Sequence, residues 1–253
     1  MILSFWLSIS SSMILMCHDS PNAQFRSLCN IGGKDSQDDV EEFDSRLRWP
    51  GLISEPRNPG LCNGVYAFAA ASMASDRLAI QGVANMIVSP QHFLSCGLTC
   101  HGCNPCDATD VDLHISRVGV VSESCFPYIS ERGRVPQCPL TCQDGSNMTG
   151  IKAIHSYPVF SIRKEVYNSG PVMMSLKNYP SFTRYRSGIY APAKGEKDLG
   201  LMPVSVVGWG TDPTAGKFYI VKCNLGTGFG EGGYARVVEN LLIDLTALAV
   251  HFA

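Results

Sequence analysis

Apolar and polar positions divide the chain into a helix-rich first half and a strand-rich second half. Residues 67–79 are strong helix formers that carry apolar side chains on every face, and Gly82 follows them. A helix that is apolar on all sides is typical of a segment buried in the middle of a domain. The pattern therefore predicts a central buried helix.

Two shorter helices are predicted after the central one. Ser89 is a favourable N-cap and Pro90 suits the first helical position, so a short helix is expected from there to Cys96. A further helix fits residues 109–117 and is closed by Gly119. Both helices belong to the first half of the chain.

From Pro171 onward the pattern changes to short β-rich runs that Gly and Pro separate. Such runs predict antiparallel strands. The predicted strands cover residues 172–176, 204–209, 217–222 and 234–238. Helices in the first half and strands in the second indicate an α+β fold.

Composition and charge narrow the classes of function. The 253 residues suffice for one domain with two subregions or for two small domains. A composition with 45% hydrophobic and 17% charged residues is that of an ordinary globular protein. The net charge of -2 and the lack of any Lys or Arg run give a nucleic-acid partner no electrostatic support. We expect neither a nucleic-acid partner nor a cofactor.

The N-terminal stretch has the character of a targeting segment. Residues 1–16 are apolar and Ser-rich, too short for a typical membrane span and about right for a secretory signal, although they lack a basic start. We expect residues 1–17 to be a signal peptide; an uncleaved anchor or a mis-assigned start codon are the alternatives. Residues 18–42 are polar and end in an acidic run, which indicates a short linker or a remnant pro-segment before a domain at residues 43–253.

Eleven cysteines are many for a reduced cytosolic protein, and they cluster between Cys96 and Cys142. Disulfides in an oxidising compartment explain this number. The alternative is a zinc site, because four of these cysteines have finger-like spacing. Those four are Cys96, Cys100, Cys103 and Cys106.

The loop before the central helix has the character of a site that presents a nucleophile. Residues 58–64 contain Asn, Pro, Gly and Cys, which hold turns and permit close backbone contacts. The start of a buried helix stabilises negative charge, so a catalytic cysteine is often placed there. The residue at that point is Val65, which has no nucleophilic group.

Ten short segments occur in a defined order between residue 43 and the C-terminal region. They are Phe43-Asp44-Ser45-Arg46 with Trp49-Pro50, Arg57-Asn58-x-Gly60-x-Cys62, Ala67-Phe68, Ser89-Pro90-Gln91, Gly102-Cys103-Asn104, Phe126-Pro127-Tyr128, Gly170-Pro171-Val172, Tyr185-x-Ser187-Gly188-Ile189-Tyr190, Val207-Gly208-Trp209-Gly210 and Gly226-Thr227-Gly228-Phe229-Gly230-Glu231-Gly232-Gly233-Tyr234. In this order the chain resembles papain-like cysteine peptidases, in particular the cathepsin B branch. The resemblance implies a monomeric two-domain fold, with a helical left domain, an antiparallel β-barrel-like right domain and a substrate cleft between them.

The functional positions of that family are replaced in this chain. A papain-like peptidase uses a Cys-His pair, an Asn that orients the His, and a Gln that completes the oxyanion hole. The corresponding residues here are Val65 for Cys, Met202 for His, Cys223 for Asn and Pro59 for Gln. Losing one member of such a unit costs on the order of a million-fold in rate, so the resemblance implies an inactive peptidase.

The cleft positions also depart from the family pattern. The residues that the resemblance places there are Tyr66, Pro105, Cys106, Pro203 and Leu225. We expect a binding role, in which a peptide, an inhibitor or another protein occupies this degenerate cleft. Two alternatives stay open: a residual endopeptidase that uses Cys223 or another non-standard nucleophile, and a non-functional, decaying paralogue. The resemblance implies that Cys223 lines the old cleft, and Cys223 itself is expected to be a drifted residue, either free or paired with Cys29.

The resemblance also implies a disulfide framework and a compartment. It pairs Cys62 with Cys103, Cys96 with Cys138, Cys125 with Cys142 and Cys100 with Cys106, which leaves no metal site among them. The six histidines are expected to be scattered, with none at metal-ligand spacing from another. Asn147 begins an N-glycosylation sequon, which has meaning in a secreted or an endolysosomal or vesicular protein. No membrane association beyond the signal peptide is expected.

Overall fold

The computed structural model of this protein describes residues 40–252, apart from residues 101 and 160 and the side chains of residues 244–246. The predicted signal peptide, Cys29 and nearly all of the predicted linker lie outside the described residues. Within the ranges described, no helix has the length and apolar character needed to cross a membrane.

Five α-helices are described, together with three short turns of other helical types. The α-helices are α1 (Ser45–Arg48), α2 (Val65–Ile80), α3 (Pro90–Cys96), α4 (Ala108–Leu113) and α5 (Ile162–Ser169). A π-helical turn, His114–Val118, continues α4, and 3-10 turns occupy Pro180–Arg184 and Glu239–Leu241. All three helices predicted from the sequence are confirmed, whereas α1 and α5 were not predicted.

Local signals account for the ends of these helices. Ser89 Oγ accepts a hydrogen bond from His92 N (3.1 Å) at the start of α3, with Pro90 in the first turn. Gly119 has a φ of 91°, a backbone conformation that favours glycine, and it ends the π-helical turn. In α2, 13 of 16 residues are buried, as a helix apolar on every face requires.

Eight strands form one sheet. They are β1 (Phe43–Asp44), β2 (His155–Pro158), β3 (Val172–Lys177), β4 (Ile189–Tyr190), β5 (Leu201–Asp212), β6 (Gly216–Lys222), β7 (Tyr234–Val238) and β8 (Leu242–His251). The order across the sheet is β2-β8-β3-β5-β6-β7-β4, and β1 pairs with β5. The four predicted strands, β3, β5, β6 and β7, pair antiparallel as expected, and β4 pairs parallel to β7.

Two large hydrophobic clusters form the core. The first lies within the sheet half and includes Trp209 and Phe182, both almost completely buried. The second surrounds α2, and the sheet contributes Met173, Leu248 and Val250 to it. The α+β division into a helical half and a sheet half is therefore as expected, and the face of β3 and β8 that meets α2 joins the two.

Adjacent charged residues inside α2 bind it to the sheet half. Lys222 Nζ, at the end of β6, lies 2.8 Å from Asp76 Oδ2, and both side chains are fully buried. Burial lowers the pKa of Lys222, and the charge of Asp76 acts against that shift. Arg77 donates to the carbonyl oxygens of Gly170, Pro171 and Val250 at 2.7–3.1 Å and to the Glu165 carboxylate (2.7 Å). The guanidinium thus connects α2 with α5, the start of β3 and the end of β8.

Four disulfides join the pairs that the resemblance implied: Cys62–Cys103, Cys96–Cys138, Cys100–Cys106 and Cys125–Cys142. The framework is confirmed. The alternative zinc site is wrong, because each of its four sulfurs is held in a disulfide. A grouping of Cys100, Cys106 and Asp110 is the one set of metal-type ligands in the ranges described, and the disulfide removes its two thiolates.

The expectation that the histidines are scattered is wrong for two of them. His92 Nδ1 lies 3.0 Å from His114 Nε2, and both residues are buried. Burial lowers the pKa of His92 to about 4. Burial and the neighbouring His92 lower the pKa of His114 to about 3. The sequence does not show this pair, because it forms between separate helical segments whose packing only the folded chain decides.

The buried ion pair predicts a large loss of stability when one partner is removed. Asp76→Asn leaves the Lys222 ammonium buried without its counter-charge, and we expect the free energy of unfolding to fall by about 3–5 kcal/mol. Chemical denaturation followed by tryptophan fluorescence measures this change. The matched control is Glu239→Gln, which removes the partly exposed pair with Arg163 and should cost less than about 1 kcal/mol. Equal losses in the two variants would contradict the role given to the buried pair.

The histidine pair predicts a stability that falls as the solution becomes acidic. The unfolded histidines have a pKa near 6.5, whereas the folded values are about 4 and 3. Below about pH 6.5 the unfolded state therefore binds protons that the folded state excludes. Stability should fall between about pH 6.5 and pH 4, by up to about 1.4 kcal/mol per pH unit for each histidine.

Denaturation curves measured across this pH range test the prediction. A variant with both His92→Gln and His114→Gln should show a shallower loss of stability than the unmodified chain. His155→Gln, at an exposed position of β2, is the control and should leave the slope unchanged. Parallel pH profiles for the double variant and the unmodified chain would exclude the pair as the source of the dependence.

Candidate functional site

The candidate site lies at the start of α2, where Val65 is the first helical residue and Gly64 precedes it. The loop before it retains a defined shape. Asn58 Oδ1 accepts from Gly60 N (2.9 Å), and Gly60 has a φ of 65°. A Cβ at Gly60 would come within 2.7 Å of the Glu131 carbonyl oxygen, so this close approach requires glycine.

Pro59 stands where the resemblance places the oxyanion glutamine. It is buried, and its carbonyl oxygen accepts from the Tyr128 hydroxyl (2.6 Å). A proline has neither a side-chain amide nor a backbone N–H. The position therefore offers no hydrogen-bond donor to a developing oxyanion, although the loop around it is held in place.

The positions that the resemblance assigns to the catalytic cysteine, histidine and asparagine have apolar surroundings. Met202, on β5, and Cys223, just after β6, belong to the same hydrophobic cluster in the sheet half. Val65 and Leu225 pack against that cluster. All four side chains thus belong to or pack against one apolar cluster, and they supply no base, no charge and no exposed nucleophile.

Cys223 is the one residue of this group with a nucleophilic atom. It is a free thiol and is fully buried, rather than lining an open cleft as the resemblance led us to expect. Its Sγ donates to the Val221 carbonyl oxygen (3.8 Å). Burial raises the pKa of the thiol, so the thiolate form that attacks a substrate is disfavoured.

The five cleft positions differ in their exposure. Pro105 is exposed, and Cys106, Pro203 and Leu225 are partly exposed. Tyr66 is buried; its hydroxyl donates to the Gly102 carbonyl oxygen (3.4 Å), and burial raises its pKa. Tyr66 therefore supports the loop at residue 102, while the other four residues have atoms that a ligand can contact.

Sequence reasoning missed Asn224, the neighbour of Cys223. Asn224 is buried and has a φ of 51°, and it is the one described non-glycine residue with positive φ. Its Oδ1 accepts from Arg57 N (3.4 Å), whereas its Nδ2 is buried without a hydrogen-bond partner among the residues described. An Asn before a Leu-Gly pair is a weak signal for this conformation, because Asn tolerates positive φ better than most residues.

Comparisons with known proteins identify one family. The model of the papain family of cysteine proteases matches residues 40–247. The chain is 29% identical over 215 residues to cathepsin B-like CP2 of Giardia intestinalis, which covers 82% of this chain and 71% of the relative. It is 31% identical over 223 residues to the gut-specific cysteine proteinase of Caenorhabditis elegans, which covers 77% of this chain and 67% of the relative.

A solved structure supports the same assignment. The structure of proCathepsin B S9 from Trypanosoma congolense matches with a TM-score of 0.77 and 25% identity, covering 88% of this chain and 82% of that one. The protein described here therefore belongs to the papain family of cysteine proteases and is similar to its cathepsin B-like members.

Proposed function

We propose that this protein is a catalytically inactive member of its family that acts by binding. The observation that carries the proposal is the apolar character of the three catalytic positions. Val65, Met202 and Cys223 belong to or pack against one hydrophobic cluster, and Cys223 is fully buried. Peptide hydrolysis by this mechanism requires a thiolate and a side chain that takes the proton of the thiol and later gives it to the leaving amine. These positions offer neither group.

The proposed binding surface is the degenerate cleft, where Pro105, Cys106, Pro203 and Leu225 replace the family residues. Support comes from the scaffold around it: four disulfides, the turn at Gly60 and the buried ion pairs of α2 are all present. A binding site needs this scaffold but not the catalytic side chains. A peptide, an inhibitor or another protein is the proposed ligand.

We further propose a secreted or endolysosomal location for the protein. Four disulfides favour an oxidising compartment. Asn147 is exposed, as an N-glycosylated residue must be, and its glycosylation stays a prediction. The alternative of a residual peptidase that uses Cys223 receives no support from the burial of that thiol and the raised pKa that results.

The proposal predicts that one restored catalytic residue does not restore activity. Val65→Cys places a thiol at the start of α2, but Met202 cannot act as its base. We expect no peptide hydrolysis by this variant at acid or neutral pH, and none by the unmodified chain. Fluorogenic peptide assays, combined with a thiol-directed covalent peptidase probe, measure both. The matched comparison is a variant that combines Pro59→Gln, Val65→Cys, Met202→His and Cys223→Asn. It tests whether the scaffold supports peptide hydrolysis once all four family residues are restored.

Two results would contradict this prediction in different ways. Appreciable hydrolysis by the single Val65→Cys variant would refute the assignment of the catalytic positions. Probe labelling of Cys223 in the unmodified chain, with turnover that Cys223→Ser abolishes, would refute the proposal that the protein is catalytically inactive.

The binding role predicts that a charge placed in the cleft abolishes ligand capture. Leu225→Glu introduces a carboxylate at a partly exposed apolar position, and a ligand that covers it must desolvate that charge. In pull-downs from the secreted fraction of the source cells, the partner retained by the unmodified chain should be lost. Leu140→Glu, at a residue that is 91% exposed, is the matched control and should retain the partner. Equal capture by both variants, or no specific partner at all, would contradict cleft binding.

A further inference from the structure

A cavity of about 780 Å³ lies between α2 and the loops that flank it. Residues 54, 55 and 57 before α2, residues 85–88 after it, residues 122–124 and Asn224 contribute to its wall. Val65, Met202 and Cys223 do not line it. Its volume is within the range of about 300–1,000 Å³ that is usual for small-molecule sites.

One face of α2 forms a side of this cavity. Phe68, Ala71, Ser72 and Ser75 line it at a spacing of three and four residues, which places them on one face of a helix. Three of these four side chains are small, so they leave space that larger residues would fill. Phe68 provides an aromatic surface at one end, with the Arg57 guanidinium 5.6 Å from the centre of its ring.

An unsatisfied donor belongs to another residue that lines this cavity. Asn224 is 1% exposed, and its Nδ2 has no hydrogen-bond partner among the described residues, while its Oδ1 accepts from Arg57 N. Buried polar groups are rarely left unpaired, and non-glycine residues held at positive φ cluster at ligand sites. Asn224 lines the cavity, so its Nδ2 is the donor there that an acceptor atom of a bound molecule would satisfy.

The charges around the cavity select against an anion. The Arg57 guanidinium binds the Glu123 carboxylate through two hydrogen bonds of 2.6 Å and 2.8 Å, so their charges largely cancel. Glu55, at an exposed part of the wall, adds a negative charge. Met86, partly exposed, and Phe68 favour an apolar body.

We propose that this cavity is a binding site for a neutral, apolar ligand that carries a carbonyl oxygen, such as an amide or a short peptide segment. The carbonyl oxygen accepts from Asn224 Nδ2, and the apolar part contacts Phe68, Ala71 and Met86. This site is separate from the degenerate cleft. The inference goes beyond the proposed function and does not depend on it.

Binding of N-acetyl-leucine N-methylamide to the isotope-labelled full chain, followed by NMR, tests the proposal. A ligand of this size is expected to bind with a Kd on the order of 1 mM. The side-chain amide of Asn224 and the backbone amides of residues 71–75, 85–88 and 122–124 should shift. N-acetyl-leucine, which carries a carboxylate, should bind more weakly, and Glu55→Gln should narrow the difference between the two probes.

Asn224→Gly removes the donor while the backbone keeps its positive φ, and it should weaken binding by roughly threefold to tenfold. Asn147→Gly, at an exposed position outside this cavity, is the matched control and should leave the Kd unchanged. Ser72→Leu fills the space and should abolish binding in a chain whose spectrum remains that of a folded protein. If that variant does not fold, Asn224→Gly alone decides the outcome.

Three results would overturn the proposal. The first is that no binding is detected at probe concentrations up to about 20 mM, well above the expected Kd. The second is binding that Asn224→Gly leaves unchanged. The third is a set of shifted amides around Met202 and Leu225, which would place the probe in the degenerate cleft. That third result would support the proposed function while excluding this second site.

Discussion

The adjacent charges of Asp76 and Arg77, buried inside α2, set the arrangement of the two halves of this protein. A buried charge without a partner is costly, so each of them requires groups from elsewhere in the chain. Asp76 forms an ion pair with Lys222 at the end of β6. Arg77 donates hydrogen bonds to α5, to the residue before β3 and to Val250 near the end of β8. Because these contacts cross from helix to sheet, they also determine where the start of α2 lies relative to the residue that follows β6.

This arrangement is independent of the side chains at the positions that the resemblance assigns to catalysis. The side chains that hold the loop at residues 58–64, including the Cys62 disulfide and the Tyr128 hydroxyl, are different from those that would react with a substrate. Val65 packs against a hydrophobic cluster that includes Met202, so both apolar side chains satisfy its packing. The residues that hold the scaffold are thus separate from those assigned to the reactive positions, which is why the proposed binding role does not need catalysis.

The parts of the fold that were predicted from the sequence depend on local signals. Ser89 and Pro90 begin α3, and the apolar surface of α2 requires burial wherever that helix is placed. Elements defined by distant partners were missed. The two-residue strands β1 and β4 are strands only because they pair with β5 and β7. β8 lies between β2 and β3, and the pairing that defines it joins segments far apart in the chain. The same reasoning applies to His92 and His114, which meet across separate helical segments.

The sequence by itself determined which chemical groups stand at positions 59, 65 and 202. Valine, methionine and proline lack a nucleophile, a base and a side-chain donor in any fold, so the prediction of lost catalysis needed only an alignment of motifs. The tertiary structure alone decided how the remaining polar groups behave. It buries the Cys223 thiol, pairs His92 with His114, and leaves Asn224 Nδ2 without a partner among the described residues that surround it beside a cavity. Burial and hydrogen bonding depend on residues that are remote in the sequence, and only the folded chain brings those residues together.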